Sequence, residues 1–267
     1  MPGEEDKHEY ELSEQRDLPA IVKKIREQTP ARLLAGRSGA AYRTSTQLEL
    51  REAHAAARDA VRAELDLHKN LGEDFVRHWN LREISSRATS KDEYLLRPDL
   101  GRHLDDASHA EVNKHRNPEP DLQILVGDGL SVTAVATQVP QLLPLLCEGI
   151  RDRGWSLGRI LVVRYCRVGI LNEIGELLRP TVAVLLIGER PGLATAESLS
   201  AYMAYRPKAG DTDANRNLIS NIHARGVSPE YAAQRIQNLA ALMMKTHESG
   251  YQLREELPIE AAPHRLP

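Results

Sequence analysis

Residues 181–200 read TVAVLLIGERPGLATAESLS, and this stretch decides the fold class. Thr181–Ile187 is mostly apolar and stops abruptly, the pattern of a short buried strand. It empties into Gly188-Glu189-Arg190-Pro191-Gly192, a turn-forming sequence that carries two charges. In an open α/β sheet, loops at the carboxyl ends of strands form the ligand crevice. A carboxylate and a guanidinium beside glycines suit such a crevice. They equally suit an ordinary turn with a solvated ion pair, and the pattern alone does not separate the two.

Working outward, the same alternation of apolar run, polar loop and helix recurs. Leu122–Val126 is an expected strand that leads into Gly127-Asp128-Gly129-Leu130-Ser131 and a helix over 132–153. Ile160–Tyr165 is a second strand, followed by Cys166-Arg167-Val168-Gly169 and a helix at Leu171–Leu178. Val182–Ile187 is the third. Leu199–Tyr205 and Asn217–Ile222 are expected as further strands, and Pro229–Glu248 as a closing helix. Such alternation implies an α/β fold with a Rossmann-like, mostly parallel sheet flanked by helices. The ends of the first three strands would then share one edge, and their convergence is the strongest physical sign of a ligand site. Asp128 and Ser131 are expected to order a turn and cap a helix.

Asn117-Pro118-Glu119-Pro120 marks the clearest boundary, and the chain before it reads as helical. Residues 1–14 are polar, charged and expected to be frayed. Leu18, Ile21, Val22 and Ile25 space a helix over 15–28, and Thr44–Leu67 reads as a long helix capped by Thr44 or Ser45. Ala35–Gly39 is a loop whose Arg37 either meets a phosphate or is solvated. His54, Arg58 and Asp59 lie on neighbouring turns of the long helix, either facing a partner or water. Phe75–Trp79 is a short apolar-aromatic segment, Leu81–Ser85 a brief strand or turn, and Pro98-Asp99 a helix start. The organisation expected is a tail and helix at 1–28, a smaller helical N-terminal domain at 29–116, an α/β domain at 117–250 and a tail at 251–267.

Composition narrows the class. The chain has 267 residues, 41% hydrophobic and 27% charged, ordinary for a soluble globular protein. Phe75 is its single phenylalanine, so the core must be aliphatic. A net charge of −3 does not favour a nucleic-acid binder. No apolar run reaches the roughly 18 residues a membrane helix needs. Cys147 and Cys166 make no disulfide framework, and the acidic N-terminus has no apolar signal segment, so the expected compartment is the cytoplasm.

Familiar catalytic motifs are missing. Gly127-Asp128-Gly129 lacks the third glycine of a dinucleotide fingerprint, because Val132 stands there. No Walker loop or serine elbow occurs. His103, His109 and His115 are six apart, which points successive side chains to different faces of a helix, so no metal set is expected. Cys147 belongs to an apolar helix, whereas Cys166 near a strand end is expected to be more accessible. No catalytic residue emerges, and the chain looks equipped to hold a ligand rather than transform it.

Eight motifs, in order, carry a family resemblance. They are TPARLLAGRSG (29–39), AHAAARDAV (53–61), LRPDLGRHL (96–104), LVGDGLS (125–131), VRYCRVGI (163–170), IGERPGL (187–193), ESLSAY (197–202) and ISNIHARG (219–226). Together they resemble the small, or light, chain of ethanolamine ammonia-lyase. The resemblance implies a non-autonomous subunit of an adenosylcobalamin-dependent enzyme that converts ethanolamine to acetaldehyde and ammonia by radical chemistry. It implies a large-chain partner, a β/α barrel that binds ethanolamine and most of the catalytic machinery, in an assembly of six large and six small chains. Some members are packed in bacterial microcompartments.

By the same resemblance, cobalamin contacts fall at Val168, at Glu189 and at Leu218. Leu218 departs from the family pattern, which has cysteine there; leucine preserves a backbone or packing contact but not a thiol. The Asp-x-His-x-x-Gly signature of mutase-type cobalamin proteins is absent, so no histidine of this chain is expected on cobalt. Two other readings use the same loops: a nucleotide-binding regulatory module, and a purely structural assembly subunit.

Overall fold

A computed structural model describes residues 20–27, 36–114, 119–192 and 195–255. The expectations for 1–14, for 15–19 and 28–35, for His115, for Asn117-Pro118 and for 256–267 lie outside the described residues.

The first half of the chain supplies α1 (Ala20–Glu27), a hairpin of β1 (Arg37–Ser38) and β2 (Ala41–Tyr42), and α2 (Thr44–Arg62). It continues with α3 (Leu67–Leu71), α4 (Glu73–His78), β3 (Arg82–Ser85), α5 (Lys91–Leu96) and α6 (Asp106–Lys114). The second half runs β4 (Leu122–Gly127), α7 (Val132–Asp152), β5 (Leu161–Arg164), α8 (Ile170–Leu178), β6 (Val182–Gly188), β7 (Leu199–Tyr205), β8 (Asn217–Ile222) and α9 (Pro229–Thr246).

Six strands form one sheet in the order β3-β5-β4-β6-β7-β8. The pairs β3–β5, β5–β4 and β4–β6 are parallel, with an α-helical crossover after β4 and after β5. From β6 to β8 the pairing is antiparallel, because the connections from β6 to β7 and from β7 to β8 contain no α-helix to carry the chain back. The mostly parallel sheet is therefore mixed on one side. β3 precedes the Asn117–Pro120 stretch yet forms the edge strand of the same sheet. Three of the four residues in its sequence REIS are polar, as suits an edge strand.

β4 and β6 are buried at every residue, hence their apolar runs, broken only by Gln123 in β4. The alternation of side chains sorts the sheet into two cores. Val126, Val162, Val184, Leu186, Ala201, Met203 and Ile219 pack with α7 and α9 on one face. Leu125, Val163, Leu185 and Ile187 pack with Ile170, Leu171 and Ile174 of α8 on the other. Ser131 caps α7, accepting from Ala134 N at 3.1 Å, as its position foretold.

Five local expectations need correction. The long helix expected over Thr44–Leu67 stops at Arg62, and a separate short helix begins at Leu67. The N-cap of α2 is Arg43 rather than Thr44 or Ser45, and no side chain caps it; Thr46 Oγ1 instead bonds Gly36 O at 3.4 Å. Asp99 begins only a 3-10 turn at Leu100–Arg102, and its carboxylate is taken in a fork by Arg97. The C-terminal stretch from Tyr251 is not a free tail throughout: Leu253 is buried, and Glu255 pairs with Arg235 at 2.6 Å. Cys166 is wholly buried rather than accessible.

Candidate functional site

The expected convergence of three strand ends is present, because β5, β4 and β6 are parallel neighbours. Asp128, just past β4, is 0% exposed and organises the edge. Its carboxylate accepts from Tyr165 N at 2.9 Å and Cys166 N at 2.8 Å, both at the end of β5. Tyr165 stands at φ 54°, an unfavourable conformation for a bulky residue, and the Asp128 bonds hold it there. Leu130 N in turn donates to Gly188 O at 3.0 Å, tying the β4 loop to the end of β6. Gly129 is needed at this crossing: its φ is +55°, and a Cβ would lie 2.3 Å from Gly188 O.

The helices after β4 and β5 lie on opposite faces, so their strand ends would ordinarily bound a ligand crevice. Here α5 fills it. Lys91, 5% exposed, donates to Gly129 O at 3.2 Å and sits 3.8 Å from Asp128 Oδ2. Tyr94 OH donates to Cys166 O at 3.0 Å, and its ring stacks under the guanidinium of Arg167 at 4.2 Å. Burial raises the Tyr94 phenol and the Cys166 thiol well above their ordinary pKa ranges, which leaves Cys166 without nucleophilic character. Burial also lowers Lys91 and raises Asp128 against their mutual attraction. This group is a brace. The loop N–H groups of Asp128, Leu130 and Ala134 all have protein acceptors, which leaves a poor cradle for phosphate.

The open ground lies one strand further along. Glu189, half-buried, accepts from Ser198 Oγ at 2.7 Å through one oxygen. Through the other it accepts from Ser200 Oγ and from Asn221 N, the latter at 3.1 Å. Residues from three consecutive sheet elements thus aim one carboxylate. Asn221 is itself placed by His223, whose Nε2 lies 2.8 Å from Asn221 Oδ1 while Nδ1 accepts from Arg225 N at 3.2 Å. His223 must be neutral to make both bonds, and burial first, then the charge of Arg225, lowers its pKa.

Ser200 and Tyr202 alternate with Leu199, Ala201 and Met203, which fill the α7–α9 core. They therefore face the α8 side. Leu218 pairs with Tyr202, which pairs with Leu185, so it belongs to the same row and the same face. α8 covers this row at Leu185 but not at its outer end, where Tyr202 is half-buried and Leu218 is 46% exposed. Val168 lies in the turn that enters α8, half-buried against the same core. The three sequence-indicated positions thus lie toward one side of the sheet. Glu189 is at its carboxyl edge, whereas Leu218 is set back along the strands, level with Leu185. Residues that sequence reasoning missed complete the surface: Ser198, Ser200 and Asn221 around Glu189, and Tyr202 between Leu185 and Leu218. No described residue hydrogen-bonds the Tyr202 hydroxyl, whose pKa burial first, then Asp213 and Glu189, raise. Asn172 of α8 flanks this ground, bonding Arg216 at 2.7 Å and Asp211 O at 2.8 Å.

Arg190 and Pro191 turn away from this ground to line a cleft of about 720 Å³ with Arg51, His54, Arg58 and Asp59 of α2. His103 bonds Glu173 at 3.2 Å, and no group of three or more potential metal ligands occurs among the described residues. No described helix is long and apolar enough to cross a membrane.

A family model described as the ethanolamine ammonia-lyase light chain (EutC) matches residues 19–254, nearly the whole of this architecture. This chain belongs to the ethanolamine ammonia-lyase light-chain family. Among its relatives in that family is the ethanolamine ammonia-lyase small subunit of Clostridium perfringens, 41% identical over 230 residues, 86% of this chain and 76% of the relative. The small subunit of Listeria monocytogenes serovar 1/2a is 40% identical over 231 residues, 86% of this chain and 77% of the relative. That of Clostridium acetobutylicum is 37% identical over 249 residues, 93% of this chain and 96% of the relative. The light-chain match spans both halves of the chain, including α2 and β3 as well as the strand-end loops.

Proposed function

We propose that this chain is the small subunit of an adenosylcobalamin-dependent ethanolamine ammonia-lyase. It completes the cobalamin site at the interface with the large subunit, where ethanolamine is deaminated to acetaldehyde and ammonia. Family membership supports the lyase assignment. The observation that carries the cofactor role is the partly exposed face with Val168, Glu189, Tyr202 and Leu218, which α8 leaves uncovered at its outer end among the described residues. A ligand bound there needs a second protein to cover it.

The residues fit the group. Cobalamin has an apolar rim and amide arms. Val168 and Leu218 offer apolar contact, and Glu189 offers a carboxylate held in one orientation by three donors. The Tyr202 hydroxyl offers one further polar group. When bound, adenosylcobalamin supplies a cobalt–carbon bond whose homolysis starts the radical chemistry. The residues of this chain bind and orient: Glu189 accepts hydrogen bonds from amide or hydroxyl donors, and the Asp128–Lys91 brace keeps the strand-end loops from shifting. Their contribution is preorganisation, since a fixed carboxylate loses little freedom on binding.

The large chain holds the substrate in this reading, in an assembly of six large and six small chains, with packaging in a microcompartment as some members have. Co-purification with a large chain and assay of ethanolamine deamination tests it. The expected result is activity that needs both chains and adenosylcobalamin. Full activity of either chain alone contradicts it.

A further inference from the structure

Helix α2 is poorly accounted for by the described residues of its own chain. It has 19 residues, yet Thr46 is the only buried one. Helices in proteins are stabilised chiefly by packing an amphipathic face. The stripe with Thr46, Leu50, Ala53, Ala57 and Val61 faces inward, buried or half-buried. On the opposite side, Leu48, Arg51, Ala55 and Arg58 recur at helical spacing and form a second stripe, all exposed. Leu48 is 58% exposed and is the one large apolar side chain of that stripe.

Charge says what would cover that stripe. Arg51, His54 and Arg58 of α2 and Arg190 of the β6–β7 loop converge on the 720 Å³ cleft, where Asp59 is the sole acidic lining residue. Among the described residues, none of these four basic side chains has a hydrogen-bond or ion-pair partner. Several other arginines of this chain are paired, as Arg62 with Asp92, Arg82 with Glu111 and Arg164 with Glu64. The chain as a whole carries −3, so this is a local concentration of positive charge. Like charges brought together repel unless an anion enters between them.

We infer that α2 and the Arg190 loop form the docking surface for an acidic segment of the large chain. Its carboxylates enter the cationic cleft, and an apolar side chain beside them covers Leu48. The cleft is wide and open, and it joins an apolar residue to separated cations along one stripe of the helix, which suits a protein segment better than a small anion. The inference rests on the small-subunit reading above. It also places the interface one residue from Glu189, so that docking and closure of the cofactor face would occur together.

The test is association of the full chain with its large chain, followed by calorimetry at low and high salt. Arg51→Glu/Arg58→Glu and Arg190→Glu should each weaken association by about tenfold or more at low salt and flatten its salt dependence. Leu48→Ala should weaken association without changing the salt dependence. Arg151→Glu, at the far end of α7 and 76% exposed, should leave association unchanged. The substituted side chains are exposed, and an unchanged melting temperature of each variant confirms that the fold is intact. Normal assembly of the charge-reversed variants overturns the inference alone. So does tight binding of inorganic phosphate to the wild-type chain that the same substitutions abolish while assembly stays normal. Failure of the wild-type chain to associate overturns the subunit reading, and this inference with it.

Discussion

Replacing Asp128 by asparagine tests whether the strand-end edge is held by a buried ionic brace. The carboxylate is fully buried, accepts from the N–H groups of Tyr165 and Cys166, and faces Lys91 at 3.8 Å. Asparagine keeps one acceptor oxygen but turns an NH2 group toward the second backbone donor. One buried donor then goes unpaired, at a cost of about 1–3 kcal/mol. Lys91 loses its counter-charge while keeping Gly129 O and the Tyr94 ring. Removing one partner of a buried pair costs roughly 3–5 kcal/mol in total. For a chain of this size each kcal/mol lowers the melting temperature by about 2–4 °C, so a fall on the order of 10 °C is expected. Thermal unfolding followed by circular dichroism reads it. Lys91→Met added to Asp128→Asn should cost less than the sum of the two single changes, since the stranded ammonium is gone. A melting temperature for Asp128→Asn within about 2 °C of wild type would refute the brace.

Further predictions follow from the neighbouring groups. Glu189→Ala strands two serine hydroxyls and Asn221 N in a half-open site that water can enter, so it should cost about 1–3 kcal/mol and speed hydrogen exchange at Asn221; unchanged exchange there would remove the clasp from the account. Ser131→Ala removes the α7 cap and should cost about 1 kcal/mol in denaturant unfolding, with no change in slope. His223 is depressed in the folded chain, so its contribution is complete above the ordinary histidine pKa and declines as pH falls through it, because the unfolded chain then binds the proton more readily. His223→Gln should therefore flatten the loss of stability between about pH 7 and 5. An equally steep loss in the variant would assign it to other groups.

Much of this fold was legible in sequence because buried parallel strands advertise themselves. β4 and β6 are apolar at nearly every position, and Gly188-Glu189-Arg190-Pro191-Gly192 punctuates the second sharply. The extents of β7 and β8 were legible too, but not their direction, which depends on the lack of a crossover helix between them. β3 was ambiguous because REIS is short and mostly polar; its partner, β5, begins 79 residues away at Leu161 when counted from Arg82. Glu189 stood out as a charge in a strand-end loop. Its partners did not, since Asn221 lies 32 positions on and nothing local links them. Cys166 looked accessible from its place near a strand end, but Tyr94, 72 positions earlier, comes back to cover it. The Asp128 brace likewise joins residues 37 and 38 positions apart. Such contacts are set by the topology, not by any local pattern.

The central claim is that this chain supplies one wall of a cobalamin site. Equilibrium binding of adenosylcobalamin to the assembled complex tests it most directly, comparing wild type with Glu189→Ala and Val168→Asp. The account predicts that both variants still assemble and that each binds the cofactor at least about tenfold more weakly, the loss of one charge-assisted contact or one apolar contact. Wild-type affinity in both variants, with assembly intact, would contradict it.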